Sequence, residues 1–221
     1  MKKSNNRTLL IIGIAAVAAF ILWTAAVRLI DVRAIGPEGS RVGFAALNGA
    51  FHALTGEHMT LYNMTDWLGL VPACFILGFA LLGLVQLIRR KSLRRVDGSI
   101  LILGAFYIVV LAAYLFFEYY VVNYRPVLIE GVLEASYPSS TTLLVLCVMP
   151  TAVMQLCGRI KAPGLRRAVS WAIAAFTAFM VIGRLISGVH WLTDIIGGVI
   201  LSAGLVLLYA GAVGLAEEKA R

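Results

Sequence analysis

Residues 67–122 read WLGLVPACFILGFALLGLVQLIRRKSLRRVDGSILILGAFYIVVLAAYLFFEYYVV. Two apolar runs, 67–88 and 100–122, flank a short break that holds Arg89, Arg90, Lys91, Arg94 and Arg95. A helix needs about 20 predominantly apolar residues to cross the hydrocarbon core of a bilayer, and each run has that length. Neither run shows the period-two alternation of a barrel strand. Backbone groups in lipid are satisfied only within a helix or a closed barrel, so each run is predicted to be a transmembrane helix.

The same reading extends in both directions, to 9–30, 141–157, 168–186 and 191–215. The prediction is an all-α fold: an integral membrane helical bundle of about six transmembrane helices, forming a single membrane-embedded domain over residues 1–221. Composition agrees. Of 221 residues, 61% are hydrophobic and 14% charged, whereas a soluble domain has roughly 45–50% and ~25%. Lys2, Lys3 and Arg7 ahead of the first run resemble the start of a signal peptide, whose apolar core spans only ~7–15 residues. The longer run at 9–30 is read as a retained helix.

Lys and Arg in short loops set orientation. Fourteen of them fall on one side: Lys2, Lys3, Arg7, Arg89, Arg90, Lys91, Arg94, Arg95, Arg159, Lys161, Arg166, Arg167, Lys219 and Arg221. Five fall on the other: Arg28, Arg33, Arg41, Arg125 and Arg184. This bias places both termini in the cytoplasm and makes the number of spans even. The cations lie mainly in short loops, with Arg28, Arg125 and Arg184 at or near helix ends, and no basic surface is interleaved with aromatics, so no nucleic-acid partner is expected. Cys74, Cys147 and Cys157 lie in apolar runs and read as small buried hydrophobes. The long outer loop 31–66 carries Val42, Phe44, Leu47, Phe51 and Leu54 at mostly helical spacing, which suggests an interfacial helix. His52, Glu57 and His58 lie in the same loop without helical metal-ligand spacing, so no metal is expected there.

Polar residues far apart in sequence converge on the outer face. Arg125-Pro126 follows the third span, Ser139-Ser140-Thr141-Thr142 opens the fourth, Arg184 ends the fifth, and His190 and Asp194 begin the sixth. Ionisable residues at such positions are costly and point to function. Ser139 or Ser140 can cap a helix whose free N–H groups make an anion site. Two arginines offer planar donors for phosphate oxygens. His190 and Asp194, four apart, are predicted to share one helix face, with the carboxylate orienting the imidazole. Taken singly, each group also has a plain reading as an anchor, a cap or a structural pair.

The order Arg125-Pro126, Pro138-Ser139, then Arg184, His190 and Asp194 resembles the type 2 phosphatidic acid phosphatase family, most closely from about Ile100 onward. That family's pattern is Lys, six residues, Arg-Pro; Pro-Ser-Gly-His; and Ser-Arg, five residues, His, three residues, Asp. The resemblance implies a metal-independent lipid phosphatase without a cofactor, acting on a phosphorylated membrane lipid. His190 would attack phosphorus to give a phosphohistidine and Asp194 would orient it. Arg125, Arg184 and the N–H groups around Ser139 and Ser140 would hold the phosphate.

The chain departs from the pattern at three places. The family Lys is Glu118, the second-motif His is Thr141 and the Ser before Arg184 is Gly183. Glu118 either pairs with an arginine to shape the site or, if desolvated, replaces the lost acid; Glu134 and Tyr137 are the other candidates for that role. The expected function is hydrolysis of a lipid phosphate or diphosphate on the extracytoplasmic side of the cell membrane. The alternatives are a lipid-phosphate-binding or transport protein without turnover, and a lipid phosphotransferase. Nothing in the sequence identifies a protein partner.

Overall fold

A computed structural model describes residues 2–219, with only the backbone of Lys2, Lys3 and Ser4. Arg221, counted in the charge bias above, lies outside the described residues, as do the side chains of Lys2 and Lys3. Among the described residues eight α-helices follow one another: α1 (Lys2–Leu29), α2 (Ala45–Thr55), α3 (Met59–Leu68), α4 (Leu70–Arg90), α5 (Gly98–Tyr119), α6 (Ser140–Cys157), α7 (Pro163–Ile186) and α8 (Leu192–Lys219). Six helical stretches among the described residues are long and apolar enough to cross a membrane. The protein is a multi-pass membrane bundle, as the apolar runs predict. Outward-facing residues such as Leu22, Ile108 and Trp171 are exposed, as expected of surfaces that face lipid chains.

One span is longer than expected. The second runs from Met59 to Arg90, so the predicted outer loop 31–66 ends early. The polar residues of α3 conceal the span in sequence. Thr65 is fully buried and returns its hydroxyl to the Leu61 carbonyl at 2.9 Å, so it faces the bundle without an unsatisfied donor. Gly69 joins α3 to α4, its N–H bonded to the Thr65 and Asp66 carbonyls.

The remainder of the outer loop is compact. A two-stranded ribbon pairs β1 (Arg33–Ala34) with β2 (Arg41–Val42). Val42, predicted on a helix, lies in β2, and α2 starts only at Ala45. Gly43 explains the delay: a Cβ there would stand 1.6 Å from the Val27 carbonyl oxygen, so the chain is pressed against α1 before it can turn. The Asp31 carboxylate accepts the Ala46 N–H at 2.7 Å and caps α2 from across the loop.

The central helix is α6, whose buried residues run from Thr142 to Gln155. It packs against α4, α5, α7 and α8. Helices α1 and α8 pack along their whole length. Their antiparallel sense is visible in the bonds Asn6 Nδ2 to Glu218 Oε1 at one end and Trp23 Nε1 to the Thr193 carbonyl at the other. Small residues allow this approach. A Cβ on Gly13 would meet Leu208 at 2.9 Å, and one on Gly204 would meet Val17 at 2.9 Å and its backbone nitrogen at 3.0 Å. At the basic end, the turn between α4 and α5 is locked by Asp97, which accepts from Gln86 and Arg90 at 2.8 Å each.

Gly204→Ala is expected to push α1 off α8 and cost about 1–3 kcal/mol. Gly78→Ala, whose Cβ would meet nothing within 4 Å, should be neutral or slightly stabilising. Thermal unfolding of the two variants in detergent checks the contrast.

Candidate active site

The head of α8 organises the site. Trp191 precedes the helix, and its N–H donates to Asp194 Oδ2 at 2.9 Å. This is the return half of a capping box, with Asp at the third helical position reaching back to the residue before the helix. The other Asp194 oxygen accepts Asn123 Nδ2 at 3.1 Å, and the Asp194 carbonyl accepts the Ser139 N–H at 3.1 Å. One fully buried residue thus ties together the α5–α6 loop, the start of α6 and the start of α8.

His190 lies ahead of α8 and not on it. The predicted shared helix face is therefore replaced by a loop that folds the imidazole back over the first turn. Nδ1 stands 3.8 Å from Asp194 Oδ2, beyond hydrogen-bond distance. Arg125 Nη1 donates to Nε2 at 3.2 Å, so the Nε2 lone pair faces Arg125. Burial, followed by the positive charges of Arg125 and Arg184, holds the His190 pKa well below the ordinary 6.5, with the Ser136 backbone acting weakly the other way.

Two guanidinium groups meet over one ring. The Arg184 carbon lies 4.7 Å from the Tyr62 centroid and that of Arg125 5.8 Å from it, within cation–π range. Arg184 Nη2 donates to Asp66 Oδ1 at 2.6 Å and to Thr141 Oγ1 at 2.7 Å. Its Nε and Nη1 are shielded from solvent without a hydrogen-bond partner. Such orphaned donors call for an explanation, and an oxyanion is one. Arg125 Nε sits 2.9 Å from Glu134 Oε2.

The remaining predicted residues separate into those at the site and those beside it. Ser139 precedes α6 as its cap residue, yet its hydroxyl makes no cap bond and accepts instead from Thr142 Oγ1 at 3.1 Å. Ser140 begins α6, whose first N–H groups have no intrahelical partner. Glu118 is exposed at the end of α5, so the burial that its replacement-acid reading needs is missing. The carboxylates on the arginines are Glu134 and Asp66, not Glu118. The Tyr137 hydroxyl shares a 2.7 Å bond with Thr24 Oγ1 between the rings of Phe20 and Phe117, and burial raises its pKa. That hydroxyl is occupied and is a poorer proton donor than a free phenol. Gly183, at the family's Ser position, faces α3: a Cβ there would come within 2.8 Å of Thr65.

His52 and His58 do not converge on a common centre. His52 Nε2 is 3.7 Å from Glu57, while His58 Nε2 contacts the Thr55 carbonyl at 2.9 Å. The sequence reading missed Tyr62, Asp66 and Asn123. Tyr62 and Asp66 are four apart on α3, a one-face spacing that was legible once that stretch is read as helix.

Two cavities meet here. A polar one of about 330 Å³ is lined by Tyr62, Asp66, Glu118, Arg125, Glu134 and Ser140 among others. Neither His190 nor Arg184 is in its wall: Arg125 stands between the cavity and His190 Nε2, and Arg184 lies behind Asp66 and Tyr62. An apolar groove of about 870 Å³ runs between α4, α5 and α6, from Asp66 and Tyr114 to Gly83 and Ile100. The residues common to both are Asp66, Tyr114, Ser140 and Leu143.

A family model of the PAP2 superfamily matches residues 10–216, and the chain belongs to that superfamily. Its fold is similar to the crystal structure described as the first transmembrane PAP2 type phosphatidylglycerolphosphate phosphatase from Bacillus subtilis. The TM-score is 0.59 at 19% identity, with 95% of this chain and 97% of that one covered. No match was found among curated proteins.

Asp194→Ala should lower stability by about 1–3 kcal/mol, because it strands the buried Trp191 N–H and Asn123 amide. His190→Ala strands no comparable pair and should lower it less. Chemical or thermal unfolding in detergent compares the two.

Proposed function

We propose that this protein hydrolyses the phosphomonoester or diphosphate of a membrane lipid, through a phosphohistidine on His190. The observation that carries the reading is the meeting of Arg125, Arg184 and His190 beside an apolar groove. Phosphate needs the planar cationic donors, the reaction needs the imidazole, and a lipid chain needs the groove. The groove residues Ile100 and Tyr114 are fourteen positions apart on α5, about 21 Å at 1.5 Å per residue. That is most of a hydrocarbon core ~30 Å thick. The similar crystal structure is described as a phosphatidylglycerolphosphate phosphatase, and that lipid is one substrate of suitable chemistry.

The chemistry follows from the residues. A phosphoryl group entering the polar cavity competes with Glu134 and Asp66 for the two arginines. Drawing Arg125 onto phosphate oxygens frees the Nε2 lone pair that it covers. Nε2 attacks phosphorus in line with the leaving oxygen, and Asp194 stabilises the positive charge that develops on the ring. Arg184 presents its unpartnered Nε and Nη1, and the first N–H groups of α6 add further donors. Water then breaks the N–P bond. The basic loops gather at the opposite end of the bundle, which supports a site on the extracytoplasmic face with both termini in the cytoplasm. Our reading uses no metal. A diphosphate suits the site well, since a phosphate leaving group needs less protonation than an alkoxide.

The test is phosphate release by purified protein in detergent with EDTA, across lipid phosphates and diphosphates. His190→Ala should lose roughly a thousandfold or more. Lipid binding without release by the parent selects the binding reading, and label appearing on an added acceptor lipid selects phosphotransfer. Only neutral His190 is a nucleophile, and its pKa is depressed. The rate should therefore survive acidification through pH 6.5 and fall only as the pH drops through the lower value. A kcat/KM profile corrected for substrate ionisation that fell at the ordinary histidine value would contradict this.

A further inference from the structure

We infer that Asp66 is the proton carrier for the leaving lipid oxygen, an inference that rests on the phosphatase reading above. When the phosphoryl group lies in the polar cavity and the chain in the apolar groove, the oxygen joining them lies where the two spaces meet. Asp66, Tyr114, Ser140 and Leu143 line that meeting point. Leu143 cannot carry a proton, and the hydroxyls of Ser140 and Tyr114 are weak acids near neutral pH. Asp66 is the carboxylate among them. Glu118 and Glu134 line the polar cavity but not the groove.

Before phosphate enters, Arg184 holds Asp66. Its Oδ1 and Thr141 Oγ1 both accept from the same Nη2, at 2.6 and 2.7 Å. The carboxylate is thus held beside the first turn of α6. Its side chain is 60% exposed while that of Arg184 is 2% exposed, so an incoming phosphate can displace the acid from the arginine without moving the arginine itself.

A phosphomonoester has its second pKa at about 6, so a fraction arrives as the monoanion with one P–OH proton. The Asp66 carboxylate takes that proton. As the N–P bond forms, the P–O bond to the lipid breaks. Its electron pair goes to the lipid oxygen, which receives the proton from Asp66 and leaves as an alcohol. In the second step Asp66 takes a proton from the attacking water, whose oxygen bonds to phosphorus. The N–P electrons return to His190, and Asp66 gives its proton to the departing phosphate, which leaves as the monoanion and restores the carboxylate.

A residue that only positions Arg184 would affect all substrates alike, whereas a proton carrier matters in proportion to the basicity of the leaving group. Dioleoyl phosphatidate and p-nitrophenyl phosphate separate the two, because nitrophenolate leaves without a proton. Asp66→Asn should lose about 100-fold or more in kcat on phosphatidate and less than about a tenth as much on p-nitrophenyl phosphate, and Asp66→Glu should recover part of the phosphatidate rate. Equal losses on the two substrates, or no loss on either, would overturn the inference. So would the same selective loss in Glu118→Gln instead of Asp66→Asn. A series of phosphate esters on the parent protein gives a result even if the variant fails to fold. A weak dependence of rate on leaving-group pKa supports proton transfer, and a steep one excludes it. A fully active His190→Ala, or a parent inert on both substrates, would instead sink the phosphatase reading itself.

Discussion

The site depends on a buried carboxylate. Asp194 has no access to solvent, and a polar group removed from water has to find its partners in the protein. It finds the Trp191 N–H and the Asn123 amide. Asn123 belongs to the α5–α6 loop and Trp191 to the α7–α8 loop, so satisfying one side chain sets two loops against each other. His190 and Arg125 lie within two residues of those anchors, and their 3.2 Å contact follows from that placement. Asn48 on α2 adds a third element, donating to Thr193 Oγ1 at 2.9 Å and accepting the Thr193 N–H at 3.2 Å.

Charge is balanced locally around this anchor. Each arginine faces a carboxylate, Glu134 at 2.9 Å and Asp66 at 2.6 Å. An arginine buried beside a second one would otherwise carry a large desolvation penalty and mutual repulsion. Both carboxylates are more exposed than the arginines they face. They can therefore yield to a ligand bearing more charge. The chain thus stabilises a cationic site in the absence of phosphate without filling it with immobile groups. Glu118, at the family's Lys position, puts a carboxyl group in the cavity wall, so in the proposed reading phosphate is held by the arginines and the head of α6.

The bundle is closely packed on one side of this arrangement and leaves room on the other. Helices α1 and α8 are in contact along their length through glycines, and α8 carries Asp194. The α4–α5 side is loosely packed, and the apolar groove opens there. A lipid chain entering from that side would reach the polar residues without disturbing the α1–α8 pair.

Much of the architecture was determined by sequence alone. Runs of about 20 apolar residues admit one solution in a bilayer, because unsatisfied backbone groups are too costly there. The spacing Arg184, His190, Asp194 and the isolated Arg125 singled out residues that the fold brings together, since ionisable residues near spans are few. What the sequence could not supply was partnership. Tyr62 and Asp66 sit 118–122 residues before Arg184 and looked like loop, because a helix with polar residues on its inner face reads as polar in one dimension. The pairing of Glu134 with Arg125, the exposure of Glu118 and the burial of the Tyr137 hydroxyl are likewise properties of packing. Local pattern fixes which segments cross the membrane. Only the tertiary fold decides which carboxylate meets which arginine, because those contacts join residues whose separation along the chain carries no information about their separation in space.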